Sequence, residues 1–356
     1  MRRILIPLLT VLLLAGLGYA IWASVGGQLA ARRVLTVRGL IGSEKEDFFR
    51  DPDVQAALKK LGLSVQVEKA GSRQIATGYD LSKYDFAFPA GVAAAEKIRR
   101  ERKVTQTYDA FYTPMAVASW KPIARILEAN GLAVNQGGVE RLRLDKLLPV
   151  MEAGKRWKDL KGAASYPVGR SVLISSTDVT KSNSAAMYLA LASYALNGDR
   201  VVQGGEAQAL LPKLAPLFLR QGYQENSSEG PFEDYLALGM GKAPMVMVYE
   251  SQFVEQAAKK ALTPDMLLMY PTPTVFTKHV LVPFSDGGRR LGEALADPSL
   301  QQLEVRYGFR TRDPRLFADF VKQGGLELPN SLVDVIDPPT YEVTEGLIRA
   351  IEQAGK

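Results

Sequence analysis

The stretch VLTVRGLI at residues 34–41 is followed at once by GSEK at residues 42–45 and then by a helical pattern that begins near Glu46. The first stretch is rich in β-branched and aliphatic residues and predicts a buried strand. The small polar residues after it predict a turn, so the three segments form a strand–loop–helix unit. Such units build mostly parallel sheets, whose ligands bind beyond the carboxyl ends of the strands.

The same order of elements recurs in the next part of the chain. Residues 63–67 alternate as a second strand, and residues 84–88 predict a third strand that stops at the Pro-Ala-Gly turn of residues 89–91. Residues 92–102 then have a helical pattern. The turns at 42–45 and 89–91 follow neighbouring strands, so they are expected to form the walls of one pocket.

A second set of α/β elements follows a long extended run at residues 110–118. Residues 171–174 predict a strand that turns through residues 175–178 into a helix at residues 183–196. Residues 245–249 predict a later strand that leads into another helix. The sequence therefore predicts an α/β protein with two doubly wound units.

The N-terminal 33 residues differ from the rest of the chain. An apolar run at residues 4–23 lies behind Arg2 and Arg3 and is long enough to cross a bilayer as a helix. The two arginines favour a cytoplasmic N-terminus, while small residues near the end of the run also suit a signal peptidase. An uncleaved membrane anchor and a removed signal peptide both stay open. In either case residues 34–356 are expected outside the cytoplasm, in the periplasm or at the cell surface.

Composition excludes several classes of function. Without the leader about 320 residues remain, enough for two cores with a cleft between them. The net charge is +6, and the four arginines of residues 1–33 account for four of it, so the remainder carries only +2 and gives no argument for nucleic acid. The chain has no cysteine and a single histidine, His279, so thiolate chemistry and histidine-rich zinc sites are excluded. His279 lies in an apolar stretch and is expected to be a packed or hydrogen-bonded structural imidazole.

Several short motifs occur in a characteristic order. They are STD at 176–178 with KSNS at 181–184, FEDY at 232–235, YESQ at 249–252 and YGFR at 307–310. Together they resemble bacterial extracellular solute-binding proteins of the type II periplasmic binding fold, with an ending similar to molybdate-like members. The resemblance spans residues 34 to about 352.

The resemblance implies two lobes joined by two extended crossings, with a small polar solute captured between them and passed to an ABC permease. Lobe 1 would comprise residues 34–112 and 280–356, and lobe 2 residues 113–279. The crossings would be residues 112–118 and 271–283. A membrane-tethered sensor or assembly subunit, which would use the same lobes without a role in transport, is the alternative.

The loop positions and the resemblance together select the residues expected to contact the solute. Each lies just after a predicted strand or near the start of a predicted helix, where backbone amides and small polar side chains are available. In lobe 1 they are Ser43, Lys45, Ala90 and Gly91, and in lobe 2 they are Ser176, Thr177, Asp178, Ser182, Asn183, Tyr249 and Glu250.

The charge of the solute stays open at this stage. The helix start at residues 182–184 and the ammonium of Lys45 suit an anion, whereas Asp178 and Glu250 would attract an ammonium or a guanidinium. Each residue also has a structural alternative. The polar residues at the helix start can cap it, the lysine can be solvated, Tyr249 can pack in the core, and the two carboxylates can fix their own loops.

No enzyme signature is present in the sequence. A nucleophile elbow, a Ser-x-x-Lys pair, a P-loop and a dinucleotide-binding glycine pattern are all missing. We therefore expect a binding protein with no cofactor and no metal, and a hydrolase of unrecognised type is the least favoured alternative.

Overall fold

The computed structural model describes residues 34–329, 332 and 334–356. The apolar run at residues 4–23 lies outside the described residues, so its membrane role stays a prediction. Among the described helices, none is both long enough and apolar enough to cross a bilayer. The described part contains ten strands and fourteen α-helices in alternation, which confirms the predicted α/β class.

Strand β1 (Leu35–Ile41) lies at the centre of the first strand group. Strands β2 (Leu63–Lys69) and β3 (Phe86–Phe88) flank it in parallel. Strand β9 (Thr274–Pro283) pairs with β3 in the antiparallel direction. The carboxyl ends of β1 and β3 therefore lie at the same edge, as a parallel pair requires.

Helices cover both faces of the first strand group. They are α1 (Glu46–Arg50), α2 (Pro52–Lys60), α3 (Ser72–Gly78) and α4 (Val92–Glu101). Val37 of β1 packs with residues of α1 and α2, whereas Leu40 on the opposite face packs with residues of α3 and α4. Because successive strand residues point to opposite faces, a strand covered on both sides must be apolar on both. β1 is so covered at its carboxyl end, where Leu40 and Ile41 are buried, whereas Thr36 and Arg38 are exposed.

The second strand group is built on β4 (Tyr108–Trp120). Its members are β5 (Ala133–Gln136), β6 (Val139–Arg143), β7 (Met245–Tyr249) and β8 (Met266–Thr272). Strands β7 and β8 pair with β4 in the antiparallel direction, β6 is parallel to β8, and β5 forms the edge. A short strand, β10 (Val335–Ile336), lies beside the start of β9.

Helices of the second group enclose the largest hydrophobic cluster. They are α5 (Lys121–Ala129), α6 (Leu144–Glu152), α7 (Asn183–Leu196), α8 (Ala207–Leu219), α9 (Glu229–Leu238) and α10 (Glu250–Ala258). Helix α7 is buried from Asn183 to Ser193, which agrees with its apolar character on all sides. The remaining helices are α11 (Asp286–Ala294), α12 (Pro298–Glu304), α13 (Pro314–Gln323) and α14 (Tyr341–Ala354).

Strand β4 runs through both groups, and β9 pairs with its first half. Residues 108–114 of β4 pair with residues 276–281 of β9, whereas residues 115–120 of β4 pair with β7 and β8. These strands occupy most of the two extended segments predicted at residues 112–118 and 271–283.

The strand predicted at residues 171–174 is wrong in detail, because the segment forms only single-residue bridges at its ends. Val172 and Ile174 are fully buried, which explains the strand-like pattern. The segment meets β7 only at its end, where the Ser175 amide donates to the Met245 carbonyl at 2.9 Å. Alternation of burial alone does not make a strand without a partner for each backbone group.

Candidate functional site

Loops of the first strand group meet at the carboxyl ends of β1 and β3. The 3-10 turn Ser43–Lys45 follows β1, and Ala90 and Gly91 follow β3. Ala90 forms an isolated bridge with His279 of β9, and the Gly91 amide donates to the carbonyl of the preceding residue of β9 at 3.0 Å. The two loops selected from the sequence therefore lie side by side.

Glu44, Lys45 and His279 form a buried charged cluster beneath these loops. The side chains of Lys45 and His279 are fully buried, and Glu44 is 4% exposed. Lys45 pairs with Glu44, and its Nζ atom lies 3.0 Å from His279 Nδ1. The same Nδ1 atom lies 3.3 Å from Glu44 Oε1, so both charged partners contact the ring through this nitrogen. The other ring nitrogen, Nε2, has no hydrogen-bond partner among the described residues.

The charges within this cluster compensate one another. Burial alone raises the pKa of the Glu44 carboxyl, but Lys45 and His279 outweigh this effect and hold the pKa at about 2. Burial and the charge of Lys45 together lower the pKa of His279 to about 4, against the opposing effect of Glu44. Burial also lowers the pKa of Lys45, against the opposing effect of Glu44. Lys45 is therefore neither a solvated lysine nor a free positive charge, because Glu44 neutralises it.

Helix α7 of the second strand group begins at a cluster of hydroxyl groups. Thr177 Oγ1 lies 2.8 Å from Ser184 Oγ, and Ser182 Oγ lies 2.9 Å from the same atom. All three residues are buried. Ser182 occupies the N-cap position, but its hydroxyl makes no capping hydrogen bond to a backbone amide of the helix, so helix capping does not account for its side chain.

The start of α7 contacts the loop after β3. Gly91 has a φ of +87°, and a Cβ atom placed on it would lie 2.1 Å from Asn183 Oδ1. Only glycine fits this conformation and this distance without displacing Asn183. Gly91 and Asn183, which the sequence assigned to opposite sides of a cleft, are therefore in direct contact.

Tyr249 connects Asn183 to the charged cluster. Asn183 Nδ2 donates to the Tyr249 hydroxyl at 3.1 Å, and the Tyr249 ring centroid lies 6.0 Å from that of His279. Burial raises the pKa of the Tyr249 phenol, and the charge of Glu44 raises it further. Glu44, Lys45, His279, Asn183 and Tyr249 thus form one polar seam to which both strand groups contribute.

Ser176 and Asp178 contact other loop residues. The Ser176 amide donates to Gln221 Oε1 at 2.6 Å. Asp178 Oδ1 accepts from the amide and the hydroxyl of Thr180 at 2.8 and 2.6 Å. These bonds fix the loop before α7, as the structural alternative expected. A role of either residue in ligand binding stays a prediction.

Glu250 is part of a buried ion pair. It is fully buried, and its two carboxylate oxygens accept from Arg310 Nε at 2.7 Å and from Arg310 Nη2 at 2.9 Å. The Tyr270 hydroxyl also donates to Glu250. This two-pronged pairing is the strongest geometry between an arginine and a carboxylate. Glu250 therefore has its hydrogen bonds within the protein.

A cavity of about 240 Å³ lies beside the polar seam, between the two strand groups. Its lining residues are Ser43, Glu44, Glu46, Asp47, Glu229, Phe232, Glu233, Leu236, Gln252, Glu255 and Gln256. We call it the acidic cavity. Of these residues the sequence analysis selected only Ser43. The lining residues of α9 recur at positions i, i+3, i+4 and i+7, which marks one face of a helix, but the sequence does not tell which element that face meets.

Two ion pairs join the strand groups at the rim of the acidic cavity. Lys69 of β2 lies 2.9 Å from Glu229 of α9, and Lys259 lies 2.5 Å from Asp47 of α1. All four side chains are at least one-third exposed. Exposed pairs contribute little energy each, about 0–1 kcal/mol, so they hold the two groups together only weakly.

No family model matches the chain, and no curated protein matches it either. Solved structures share its fold over almost the whole length. The sulfate-binding protein SubI from Mycobacterium tuberculosis H37Rv is 15% identical with a TM-score of 0.52, covering 90% of this chain and 98% of its own. A periplasmic thiamin binding protein is 11% identical with a TM-score of 0.55, covering 90% and 96%.

The periplasmic binding protein AfuA from Actinobacillus pleuropneumoniae, solved with fructose-6-phosphate, is a third such structure. It is 10% identical with a TM-score of 0.54, covering 89% of this chain and 97% of its own. At these identities the likeness establishes the fold alone. The chain therefore has the type II fold of periplasmic solute-binding proteins, as its sequence resemblance predicted.

Proposed function

We propose that this protein is an extracytoplasmic solute-binding protein that captures a small polar solute between two lobes and presents it to an ABC-type importer. The lobes are residues 34–112 with 280–356 and residues 113–279, and strands β4 and β9 form the hinge. Residues 1–33 anchor the protein to the cytoplasmic membrane or direct its export. The names of structures with this fold, which refer to sulfate, thiamin and fructose-6-phosphate, support a small polar ligand.

The observation that carries this proposal is the polar seam, which contains unsatisfied groups beside a cavity. The hydroxyl of Ser43 and the Nε2 group of His279 are buried and have no hydrogen-bond partner among the described residues. An unpaired buried polar group costs about 1–3 kcal/mol. A solute in the acidic cavity that pairs with Ser43, and touches loops of both lobes, would stabilise the closed arrangement.

Ligand binding by the full chain, purified in mild detergent, tests the proposal. Intrinsic-fluorescence melting curves are recorded with oxyanions, amino acids, peptides, sugars and amines, and each positive result is checked by calorimetry. A ligand at a hundred times its dissociation constant should stabilise the protein by about 2.7 kcal/mol. Turnover of the bound compound would instead favour an enzyme, and failure of the whole panel to bind would contradict the proposal.

Two glycine variants separate loss of closure from loss of stability. Gly91→Ala forces Asn183 to move and to give up its bond to Tyr249, because the new Cβ would lie 2.1 Å from Asn183 Oδ1. Gly131→Ala is the matched control, since Gly131 also has a positive φ, +69°, but no atom lies within 4 Å of a Cβ there.

Both glycine variants should lose about 1–3 kcal/mol of unfolding free energy, because a side chain is disfavoured at positive φ. Only Gly91→Ala should also weaken solute binding, by at least tenfold. Equal affinities in the two variants would show that contact between Gly91 and Asn183 has no part in binding.

The membrane anchor expected from residues 1–33 keeps solute sensing as a second candidate function, because a tethered protein can signal through a membrane partner. Vesicles that contain this protein and a candidate permease distinguish the two. Uptake that depends on this protein supports transport, whereas solute binding without uptake favours sensing.

A further inference from the structure

The acidic cavity is enclosed by two opposed walls. The turn after β1 and helix α1 supply one wall, and helices α9 and α10 supply the other. Its volume of about 240 Å³ corresponds to about eight water molecules at about 30 Å³ each. A compact solute with a short carbon chain fits this space.

The charge of the lining is one-sided. Three carboxylates line each wall, whereas no lysine or arginine is among the lining residues. The first wall contributes Glu44, Glu46 and Asp47, and the second wall contributes Glu229, Glu233 and Glu255.

Four cations pair with these carboxylates, and they are Lys45, Arg50, Lys69 and Lys259. Because the pKa of Glu255 is raised to about 7, this carboxyl is only partly ionised at neutral pH, and the excess over the four cations lies between one and two negative charges. Glu233 is exposed and has no ion pair within the described part of the chain. Closing the two lobes therefore brings like charges together, and a cation between them would relieve that repulsion.

The pKa of Glu255 reflects the proximity of these carboxylates. Burial and the nearby Asp47 together raise the pKa of the Glu255 carboxyl to about 7, against the opposing effect of Lys259. A positively charged solute would favour the ionised form of this carboxyl.

The lining is not acidic alone. Phe232 is buried and stacks on Tyr235 with ring centroids 5.8 Å apart, and Leu236 lies one turn further along α9. Carbon atoms of a solute can pack here, while an aromatic face also attracts a cation. Ser43 at the opposite wall is 9% exposed, and its hydroxyl has no partner among the described residues. This unpartnered hydroxyl is a second indication, independent of charge, that the cavity binds a solute.

We propose that the solute held in the acidic cavity is a small organic cation, either a protonated amine or a quaternary ammonium. This inference rests on the proposed function, because it names the class of solute that the closed lobes hold. Of the two charges that the sequence left open, the cavity favours the cation. The carboxylates responsible are not Asp178 and Glu250, which are paired within the protein, but those of α1, α9 and α10.

The test compares three compounds that share a carbon skeleton. They are putrescine, the corresponding diol, and succinate, which are respectively a dication, a neutral molecule and a dianion. Calorimetry on the full chain in detergent, with choline as a second cation and Mg²⁺ at matched ionic strength, should show saturable binding of putrescine or choline only.

Adjacent carboxylates on α9 provide a matched pair of variants. Glu233→Gln removes a lining carboxylate, whereas Asp234→Asn removes its neighbour, which lies 3.7 Å from Lys242 and does not line this cavity. Glu233→Gln should weaken binding of the organic cation roughly 3- to 5-fold, the range of one partly exposed ion pair. Asp234→Asn should leave it unchanged.

The outcomes separate this inference from the proposed function. If succinate or the diol binds and Gly91→Ala weakens that binding, the inference of a cationic solute is overturned, but the proposed solute-binding function stands. If Mg²⁺ binds as the organic cations do, the binding is adventitious surface binding and the inference is overturned. The same holds if neither Glu233→Gln nor Gly91→Ala changes the affinity for the cation. Failure of both putrescine and choline to bind would overturn it as well.

Discussion

Glu250 and Glu44 are both buried carboxylates paired with a cation, yet their surroundings differ. Glu250 receives two hydrogen bonds from Arg310, one to each carboxylate oxygen. Glu44 pairs with Lys45 and lies beside His279, whose Nε2 group has no partner among the described residues, and it also lines a cavity. A buried charge therefore indicates a binding site where polar groups beside it lack hydrogen-bond partners and a cavity is adjacent. It indicates a structural role where the protein itself supplies its hydrogen bonds.

The largest expected effect comes from breaking the completed pair. Glu250→Gln leaves the guanidinium of Arg310 buried without its counter-charge, so the free energy of unfolding should fall by about 3–5 kcal/mol. Urea denaturation measures this change. The double variant Glu250→Gln with Arg310→Met should recover most of the loss, because it removes the uncompensated charge. Putrescine affinity should be unchanged in the double variant, and a large loss there would break the comparison.

A second effect concerns the loss of stability at acid pH that the buried His279 causes. The pKa of His279 is lowered from 6.5 to about 4, so between these two pH values the unfolded chain binds a proton that the folded protein does not. Stability should therefore fall as pH falls from about 6.5 to about 4, by about 3 kcal/mol in total. His279→Gln should remove this part of the slope in urea denaturation at stepped pH. An unchanged slope would show that the pKa of His279 is not lowered in the folded protein.

The smallest expected effect tests a third buried carboxyl. Glu304 is fully buried, neither of its carboxylate oxygens has a partner within the described residues, and it does not line the acidic cavity. Burial raises its pKa well above the usual value of 4.5, so its stabilising contribution is complete below that pH and is lost as pH rises. Glu304→Gln should raise stability by about 1 kcal/mol at pH 8 and by less near pH 4. A loss of putrescine binding in this variant would contradict its assignment as structural.

Much of the fold could be predicted from the sequence. The helix at residues 183–196 was predicted with the bounds that the structure has, because it lies between a polar start and an Asn-Gly end. The order of strands and helices followed from hydrophobic periods of two and of 3.6 residues. The segment at residues 171–174 shows the limit, since an alternating pattern reveals which side chains are buried but not whether the backbone finds a partner.

The candidate site was only partly predictable. Ser43, Gly91 and Asn183 were selected because loops at strand ends and helix starts follow local rules. The structure brings Gly91 and Asn183 into contact and places Ser43 in the lining of the acidic cavity. The acidic residues of α9 and α10 were missed, because a charged helix face looks the same whether it meets water or the opposite wall of a cavity. Lys45 shows the reverse case, since the sequence does not reveal that the adjacent Glu44 is buried with it.

Strand β4 changes its partners between Pro114 and Met115. Before this point it pairs with β9, and after it with β7 and β8. Proline has no amide hydrogen to donate, so the backbone ladder is weakest here, and side chains supply bonds instead, from the Ser251 amide to Thr113 Oγ1 and from Thr274 Oγ1 to the Met115 carbonyl. If the two lobes rotate relative to each other, the change in backbone dihedral angles of β4 should be concentrated at Pro114 and Met115. The segments of β4 on either side should then move as rigid bodies.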